Sequence, residues 1–299
     1  MKNPKLCVIT PVYNGQNFLK ECIQIVLNQS YKNIEYTVIN DGSTDQSQKI
    51  IESFKNLKFI TKKNEGQVKT LNKGWKLSNS KYLTYLSADD MLDKNCYEEI
   101  IKFMESNEDV VAAFPRNDLI DIRGRIIKRD VCPEFNFYDT LVRQECKIGA
   151  GAVFRRKIFD KVGGWDNRFS LCPDRQYWIK LHKYGNIKLV NSALGYYRLH
   201  ENSGVVKKTG EKYSNEYKVI LDEFFEHNTE FNIYKKEAYS YVNLLTSRNL
   251  LIEGNLKKGF SFFNKALILN YKFLYPNNLL RFFITIFSKK IRIFISKLS

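Results

Sequence analysis

Residues 82–90 read Tyr82-Leu83-Thr84-Tyr85-Leu86-Ser87-Ala88-Asp89-Asp90, an apolar β-rich run that stops in two adjacent carboxylates. Working outward, three earlier runs share that form: Leu6 to Thr10, Ile34 to Asn40 and Leu57 to Thr61. Each is short, carries β-branched and aromatic residues and gives way to a polar loop. Helical patterns fill the intervals. The first, from about Asn17 to Asn28, puts Leu19, Cys22, Ile23, Val26 and Leu27 at helical spacing. This alternation predicts an α/β fold, with βαβ units building a parallel sheet flanked by helices.

In such a sheet ligands bind beyond the carboxyl ends of the strands, near the point where strand order reverses. All four runs end in polar or loop-forming residues: Thr10-Pro11-Val12-Tyr13-Asn14-Gly15, Asn40-Asp41-Gly42-Ser43-Thr44-Asp45, Lys63-Asn64-Glu65-Gly66 and Ser87-Ala88-Asp89-Asp90. Any one of these loops reads equally as a turn or an N-cap. Together they outline one cleft. Asp89 and Asp90 repel each other unless a cation or hydrogen-bond donors relieve them. Mg²⁺ or Mn²⁺, held by one or two carboxylates and by substrate phosphates, would do so at a nucleoside-diphosphate site. There is no G-x-G-x-x-G after the first strand and no Walker motif, which argues against a dinucleotide oxidoreductase and a P-loop NTPase.

Farther along, the pattern predicts a helix over Cys96 to Glu105, a strand over Val110 to Phe114, and a hairpin of Leu119 to Ile122 with Arg125 to Lys128 around Arg123-Gly124. The sheet is then mixed. A short strand at Ala152 to Phe154, a helix stopped by Gly163-Gly164, a helix over Asp174 to Tyr184, and strands at Ile187 to Val190 and Leu194 to Arg198 follow. Asn202 to Gly210 reads as a linker, and everything later as helices.

With 43% hydrophobic and 27% charged residues, the 299-residue chain has a globular composition. Its 48 Lys+Arg against 32 Asp+Glu give +16, which admits nucleic-acid, anionic-ligand or membrane-surface partners. The start of the chain shows no secretory signal, so a cytoplasmic location is expected. No apolar stretch is long enough to span a bilayer. The six cysteines form no C-x-x-C pair and read as reduced thiols.

The same motifs, in their order and spacing from about Leu6 to Ser203, resemble glycosyltransferase family 2, the inverting sugar-nucleotide transferases of GT-A fold, of the kind that builds bacterial surface polysaccharide. Val8 to Asn14 looks like the family's opening strand, Val38 to Asp45 like its nucleoside loop, and Asn64-Glu65-Gly66 through Asn72-Lys73-Gly74 like its third motif. Ser87-Ala88-Asp89-Asp90 resembles its D-x-D segment, with Ser87 at the first acidic place. The resemblance implies that Pro11 and Tyr13 line the base and ribose, that Asp41 hydrogen-bonds the base, and that Asn64 belongs to the same nucleotide site. Asp89 would contact the ribose or a Mg²⁺ or Mn²⁺ ion, with Asp90 and His200 as further metal ligands. Gly149 to Arg156, Val162 to Asp166 and Asp174 to Trp178 follow the acceptor-side order. They place Gly149, Ala150, Trp165 and Trp178 near the acceptor and Asp174 where the catalytic base sits. Gln176 stands where many members carry an acid. Tyr196 to His200 resembles the Y-R-x-H segment and brings Arg198 or His200 toward the diphosphate. On spacing alone Trp165 and Trp178 read first as core, and Asp174 reads also as a helix cap after Pro173.

The expected organisation is a catalytic domain over 1–203, nucleotide-binding over 1–110 and acceptor-binding over 111–203, and a helical extension over 204–299. From Gly254 to Ser299 there are nine Lys/Arg and no acidic residue. Arg281, Thr285, Ser288, Lys289, Arg292 and Ser296 recur at helical spacing, with Phe282, Phe283, Ile286, Ile293 and Phe294 between them. That amphipathic basic end suits the anionic inner face of a membrane or a seat on the rest of the protein. The expected reaction is transfer of a sugar from a nucleoside-diphosphate donor, a UDP-sugar foremost, to a hydroxyl of a glycan or polyprenyl-linked acceptor. A nucleotidyltransferase on a related sheet and a basic nucleic-acid binder are the alternatives. The first lacks its Gly-rich cationic loop, and the second lacks a reader module.

Overall fold

The computed structural model describes residues 5–200, 210–274, 279–280, 282–284 and 286. The chain forms two compact units, Met1–Phe135 with Cys146–Ser203 and Asn136–Glu145 with Gly204–Ser299. The expected first domain therefore lacks 136–145, which packs in the second unit. There Phe137 meets Phe224 and Phe231 at ring separations of 5.8 and 5.6 Å, and the Tyr217 hydroxyl donates to the Thr140 carbonyl.

The first unit opens with β1 (Leu6–Val12), α1 (Leu19–Leu27), β2 (Ile34–Asn40), α2 (Ser47–Glu52), β3 (Lys58–Thr61), α3 (Gln67–Lys76) and β4 (Tyr82–Tyr85). It continues through β5 (Met91–Leu92), α4 (Cys96–Ser106), β6 (Val110–Ile120), β7 (Ile126–Lys128), β8 (Val153–Arg155), α5 (Arg156–Val162), α6 (Pro173–Leu181) and β9 (Asn186–Arg198). The sheet order is β3-β2-β1-β4-β8-β6-β9-β5, with β7 paired to β6. The long ladders, β1 with β2 and β6 with β9, are parallel, whereas β8, β5 and β7 add short antiparallel ones.

β1 is buried along its whole length, as a central strand covered on both faces must be. Its side chains alternate between two cores. Leu6, Val8 and Val12 join α1 and α4 through Leu19, Ile23, Tyr97 and Ile100, while Cys7 and Ile9 join α3 through Leu71 and Trp75. α3 sits close because residue 74 is glycine: a Cβ there would lie 2.8 Å from Ile9 Cδ1.

Two pairs of short expected strands are each one long strand. Val110–Ile120 is continuous as β6, and Asn186–Arg198 as β9. Their register jumps where Pro115 faces Val190 and Arg116 faces Leu194. Proline supplies no N–H to the ladder, so β9 bulges through Asn191, Ser192 and Ala193 before pairing resumes. The helix expected to reach Tyr184 ends at Leu181 and tightens to a 3₁₀ turn over His182–Tyr184.

The second unit contains α7 (Gly210–His227), α8 (Lys235–Ile252) and α9 (Leu256–Leu269). Ser240 Oγ on α8 donates to the Ala266 carbonyl on α9 at 2.6 Å. Phe282 and Ile286 are buried against Leu251, so part of the apolar face expected to meet a membrane is used in packing. The linker over 202–209, together with Arg281, Thr285, Ser288, Lys289, Arg292, Ile293, Phe294 and Ser296, lies outside the described residues. Among the described residues no helix is long and apolar enough to cross a membrane.

Candidate active site

β1, β2, β3 and β4 run parallel and deliver their four loops to one edge of the sheet. β1 pairs with β2 as far as Val12, but its pairing with β4 stops at Ile9, where the Leu86 N–H donates to the Ile9 carbonyl. Strand alternation turns Pro11 to the same side as Ile9, so the residue without an N–H stands where the two strands part. The sheet opens at the point of reversed strand order, and the loop carrying Asp89 leaves from that opening.

The first three loops are knit together. Asn14, in the left-handed region at φ 53°, accepts the Thr44 N–H at 2.8 Å and donates its own N–H to Ser43 Oγ at 3.0 Å. The Gly15 N–H donates to Ser47 Oγ, and the Gln16 N–H to Asp45. Asp41 joins the second loop to the third. It is 3% exposed, and its oxygens accept the Glu65 N–H at 2.9 Å, the Gly66 N–H at 2.8 Å and the Lys62 ammonium. Burial works against its charge, but Lys62 and the two amides outweigh it and hold the carboxyl below its usual range. Asp41 thus ties the second and third loops together through three donors of the protein itself. Pro11 is buried, Tyr13 is 54% exposed, and Asn64 is exposed with its carbonyl oxygen accepting the Gly66 N–H.

The fourth loop meets the end of β9. Asp89 Oδ2 lies 2.8 Å from His200 Nε2, and both side chains reach solvent. Arg198 is 2% exposed and holds this corner together. Its Nε donates to the Asp89 carbonyl at 2.8 Å, Nη2 to Glu21 at 2.7 Å and Nη1 to the Ile122 carbonyl at 3.1 Å, while its guanidinium lies over the Phe18 ring. Its side chain is therefore committed to the protein; of the two residues expected near the diphosphate, His200 is the one beside the Asp89 carboxylate. Asp90 turns inward, 5% exposed, and accepts the Arg198 N–H at 3.1 Å. Burial first, then the Asp89 charge, push its carboxyl well above the usual range against the pull of Arg198.

The expected metal set Asp89, Asp90 and His200 is accordingly not assembled as three: among the described residues no group of three His, Cys, Asp or Glu side chains could hold a metal ion. Asp89 and His200 remain as a pair. The 2.8 Å contact between them is a hydrogen bond, which an ion held by the two would replace. A two-donor set suits Mg²⁺ or Mn²⁺ that completes its shell with water and phosphate oxygens, and the imidazole favours Mn²⁺ over the harder Mg²⁺.

On the acceptor side, Asp174 is half-buried at the start of α6, and its carboxylate takes no hydrogen bond or ion pair among the described residues. The hydroxyl of Tyr85, the last residue of β4, lies in the field of both Asp174 and Asp90; burial first and these charges next raise it well above its usual range. Trp165 packs against Tyr85 at 5.2 Å and against Trp75 at 5.7 Å, and its loop is held to α3 by Asn72, which accepts the Trp165 N–H and donates to its carbonyl. Its indole N–H is buried without a hydrogen-bond partner among the described residues, as is the Gln176 side-chain carbonyl. Trp178 is core, beside Tyr177. Gly149 and Ala150 are placed by a residue the sequence did not single out. Asn117, fully buried in β6, accepts the Ala150 N–H at 3.0 Å and donates to the Ala150 carbonyl at 3.3 Å. A Cβ on residue 149 would lie 2.5 Å from Asn117, so this loop needs glycine for packing.

Residues 7–163 match the family model described as glycosyl transferase family 2. An uncharacterized glycosyltransferase of Rickettsia conorii is 30% identical over 255 residues, 82% of this chain and 42% of that protein. Chondroitin synthase of Escherichia coli is 24% identical over 73% of this chain and 32% of its own length. The chain spans about two-fifths of the length of the rickettsial relative. Among solved structures, S. aureus TarS 1–349 in complex with UDP-GlcNAc superposes with a TM-score of 0.69 at 17% identity, covering 88% of this chain and 79% of that one. The fold is that of TarS, a mixed, mainly parallel α/β sheet of GT-A type, and the match over more than half of its residues makes this chain a member of glycosyltransferase family 2.

Proposed function

We propose that the chain transfers a sugar from a nucleoside-diphosphate donor, foremost a UDP-sugar, to a hydroxyl of a glycan or polyprenyl-linked acceptor, with inversion, in the synthesis of a surface polysaccharide. The observation that carries this reading is the solvent-reaching pair Asp89 and His200 at the opening between β1 and β4, with the unbonded carboxylate of Asp174 acting on the same Tyr85 hydroxyl as Asp90. The chondroitin synthase relative and the UDP-GlcNAc held by TarS support the donor class.

In this reading Pro11 and Tyr13 face the base and ribose, and Asp41 acts through the loop it fixes, setting Asn64 beside the nucleoside. Asp89 and His200 hold the diphosphate end together with Mg²⁺ or Mn²⁺. When bound, the ion stabilises the negative charge that develops on the leaving diphosphate. Asp174 accepts the proton of the acceptor hydroxyl as its oxygen forms the bond to the anomeric carbon and the bond to the diphosphate oxygen breaks on the opposite face. General-base assistance of this kind contributes about 10²- to 10⁴-fold. The basic stretch 254–299 is assigned to an anionic inner membrane face, with the cytoplasm as the compartment.

Purified protein with Mn²⁺ and a panel of sugar nucleotides tests this. One UDP-sugar should raise the melting temperature and be slowly hydrolysed. Asp174→Asn should keep the thermal shift while hydrolysis falls at least about a hundredfold. No stabilisation by any donor, or Asp174→Asn behaving as the native chain, would sink the proposal, and pyrophosphate release from a nucleoside triphosphate would replace it with nucleotidyl transfer.

A further inference from the structure

We propose that the hairpin of β6 and β7 is a membrane-docking element whose tip enters the headgroup layer of an anionic lipid surface. Residues 122–129 read Ile122-Arg123-Gly124-Arg125-Ile126-Ile127-Lys128-Arg129, three isoleucines and four cations with no acidic residue. All eight are exposed, Ile122 at 58%, Ile126 at 43% and Ile127 at 53%. A single exposed hydrophobe is ordinary, but three within six residues of one hairpin concentrate apolar surface at its end. Apolar groups flanked by Arg and Lys are what an interface of acyl chains and anionic headgroups accepts.

The tip is built before it meets anything. Asp121 Oδ1 accepts the N–H groups of Arg123 at 2.8 Å and Arg125 at 2.9 Å, the Asp121 N–H donates to the Arg125 carbonyl at 2.9 Å, and Gly124 takes the positive φ of 79°. Docking therefore costs little ordering. The acids nearby are matched: Asp121 with Arg125, Asp118 with Arg129 and Asp130 with Arg116. Arg125 and Arg129 still stand 72% exposed, and Arg123 and Lys128 make no ion pair among the described residues. Among the described residues β7 pairs only with β6, and the cations along its other edge repel a second copy. They attract an anionic surface. The turn itself also reaches the site, since Arg198 donates both to the Ile122 carbonyl and to the Asp89 carbonyl. Docking would hold the Asp89 end of the cleft at the lipid surface; this consequence, unlike the docking itself, rests on the reading of a lipid-linked acceptor.

The test uses the full chain with vesicles of phosphatidylglycerol and phosphatidylcholine, and with phosphatidylcholine alone. Trp75, Trp165 and Trp178 are buried, so the emission of an Ile127→Trp variant that responds to vesicles reports on the hairpin and not on the basic tail. Its emission should shift to the blue with phosphatidylglycerol vesicles, and the shift should weaken with salt. The variant Arg123→Glu/Ile126→Ser/Ile127→Ser/Lys128→Glu should partition at least about tenfold more weakly and keep the donor-induced thermal shift. The proposal is overturned if the emission ignores phosphatidylglycerol vesicles, shifts equally with phosphatidylcholine alone, or shifts with RNA or protein concentration in their absence. It also falls if the quadruple variant partitions like the native chain. Donor hydrolysis without lipid reads the proposed function separately.

Discussion

Asp41 and Asp89 each follow a buried parallel strand of the same sheet, and the two differ in where their oxygens go. Asp41 takes two backbone N–H groups and the Lys62 ammonium, all from neighbouring loop residues. Asp89 fixes its loop through its backbone carbonyl, which Arg198 holds, and leaves its carboxylate at the surface with one imidazole. A carboxylate that holds three donors of its own fold fixes the loops around it, whereas one held by its main chain presents its oxygens to a ligand. Motif position alone does not separate the two.

The largest consequence is expected at Asp89. Asp89→Asn keeps the Arg198 contact, which is to the main chain, but removes the charge facing the diphosphate and its ion. A metal-ion contribution of several kcal/mol to the leaving group corresponds to a fall in turnover of more than about a hundredfold. The melting temperature of the free protein should hardly move. If Asp89→Asn unfolds the protein instead, the contrast with Asp41 is wrong.

Asp41→Asn should show the reverse. It leaves Lys62 and one of the two amides without a full partner in a buried place, a cost of about 1–3 kcal/mol in stability, with turnover per folded molecule falling less than for Asp89→Asn. The pH dependence has a definite sign. The native carboxyl lies below its ordinary value, so its contribution is complete above the unfolded value of about 4 and is lost as pH falls through the lower native value. The gap in melting temperature between native protein and Asp41→Asn should therefore be widest near neutrality and close in acid.

The first half of the fold is legible in the sequence because β1 to β4 are local units, each a short apolar run with its own loop and helix. The mixed half is less so. β6 and β9 pair along most of their lengths, yet Pro115 and the bulge opposite it interrupt the pattern, and each long strand reads as two short ones. Asn117 has no motif to announce it; its importance comes from polar backbone 33 residues away that needs a buried partner. The segment 136–145 goes to the second unit because its aromatic and apolar side chains find partners among residues far along the chain, which periodicity within ten residues cannot reveal. The site shows the same division. The strand-end loops are readable as a set, but the inward turn of Asp90 depends on the Arg198 N–H, 108 residues later.

Tyr13 gives the smallest effect and bears on the nucleoside side of the comparison. Its ring is 54% exposed at the end of β1, next to a loop already fixed by Asn14, Gly15 and Gln16 through their contacts with the second loop. Truncating it disturbs no packed core, so the unfolding free energy should stay within about 0.5 kcal/mol of the native value. What is lost is a face on which a base can stack, a contact worth about 1–3 kcal/mol where bases stack on aromatic side chains in nucleic-acid complexes and less at so open a position. Tyr13→Ala should accordingly raise the KM for the donor severalfold and leave kcat in place, since a contact made equally in ground and transition states changes only binding. A fall in kcat with KM unchanged would move Tyr13 out of the nucleoside site and toward the reacting end, where Asp89 and His200 stand.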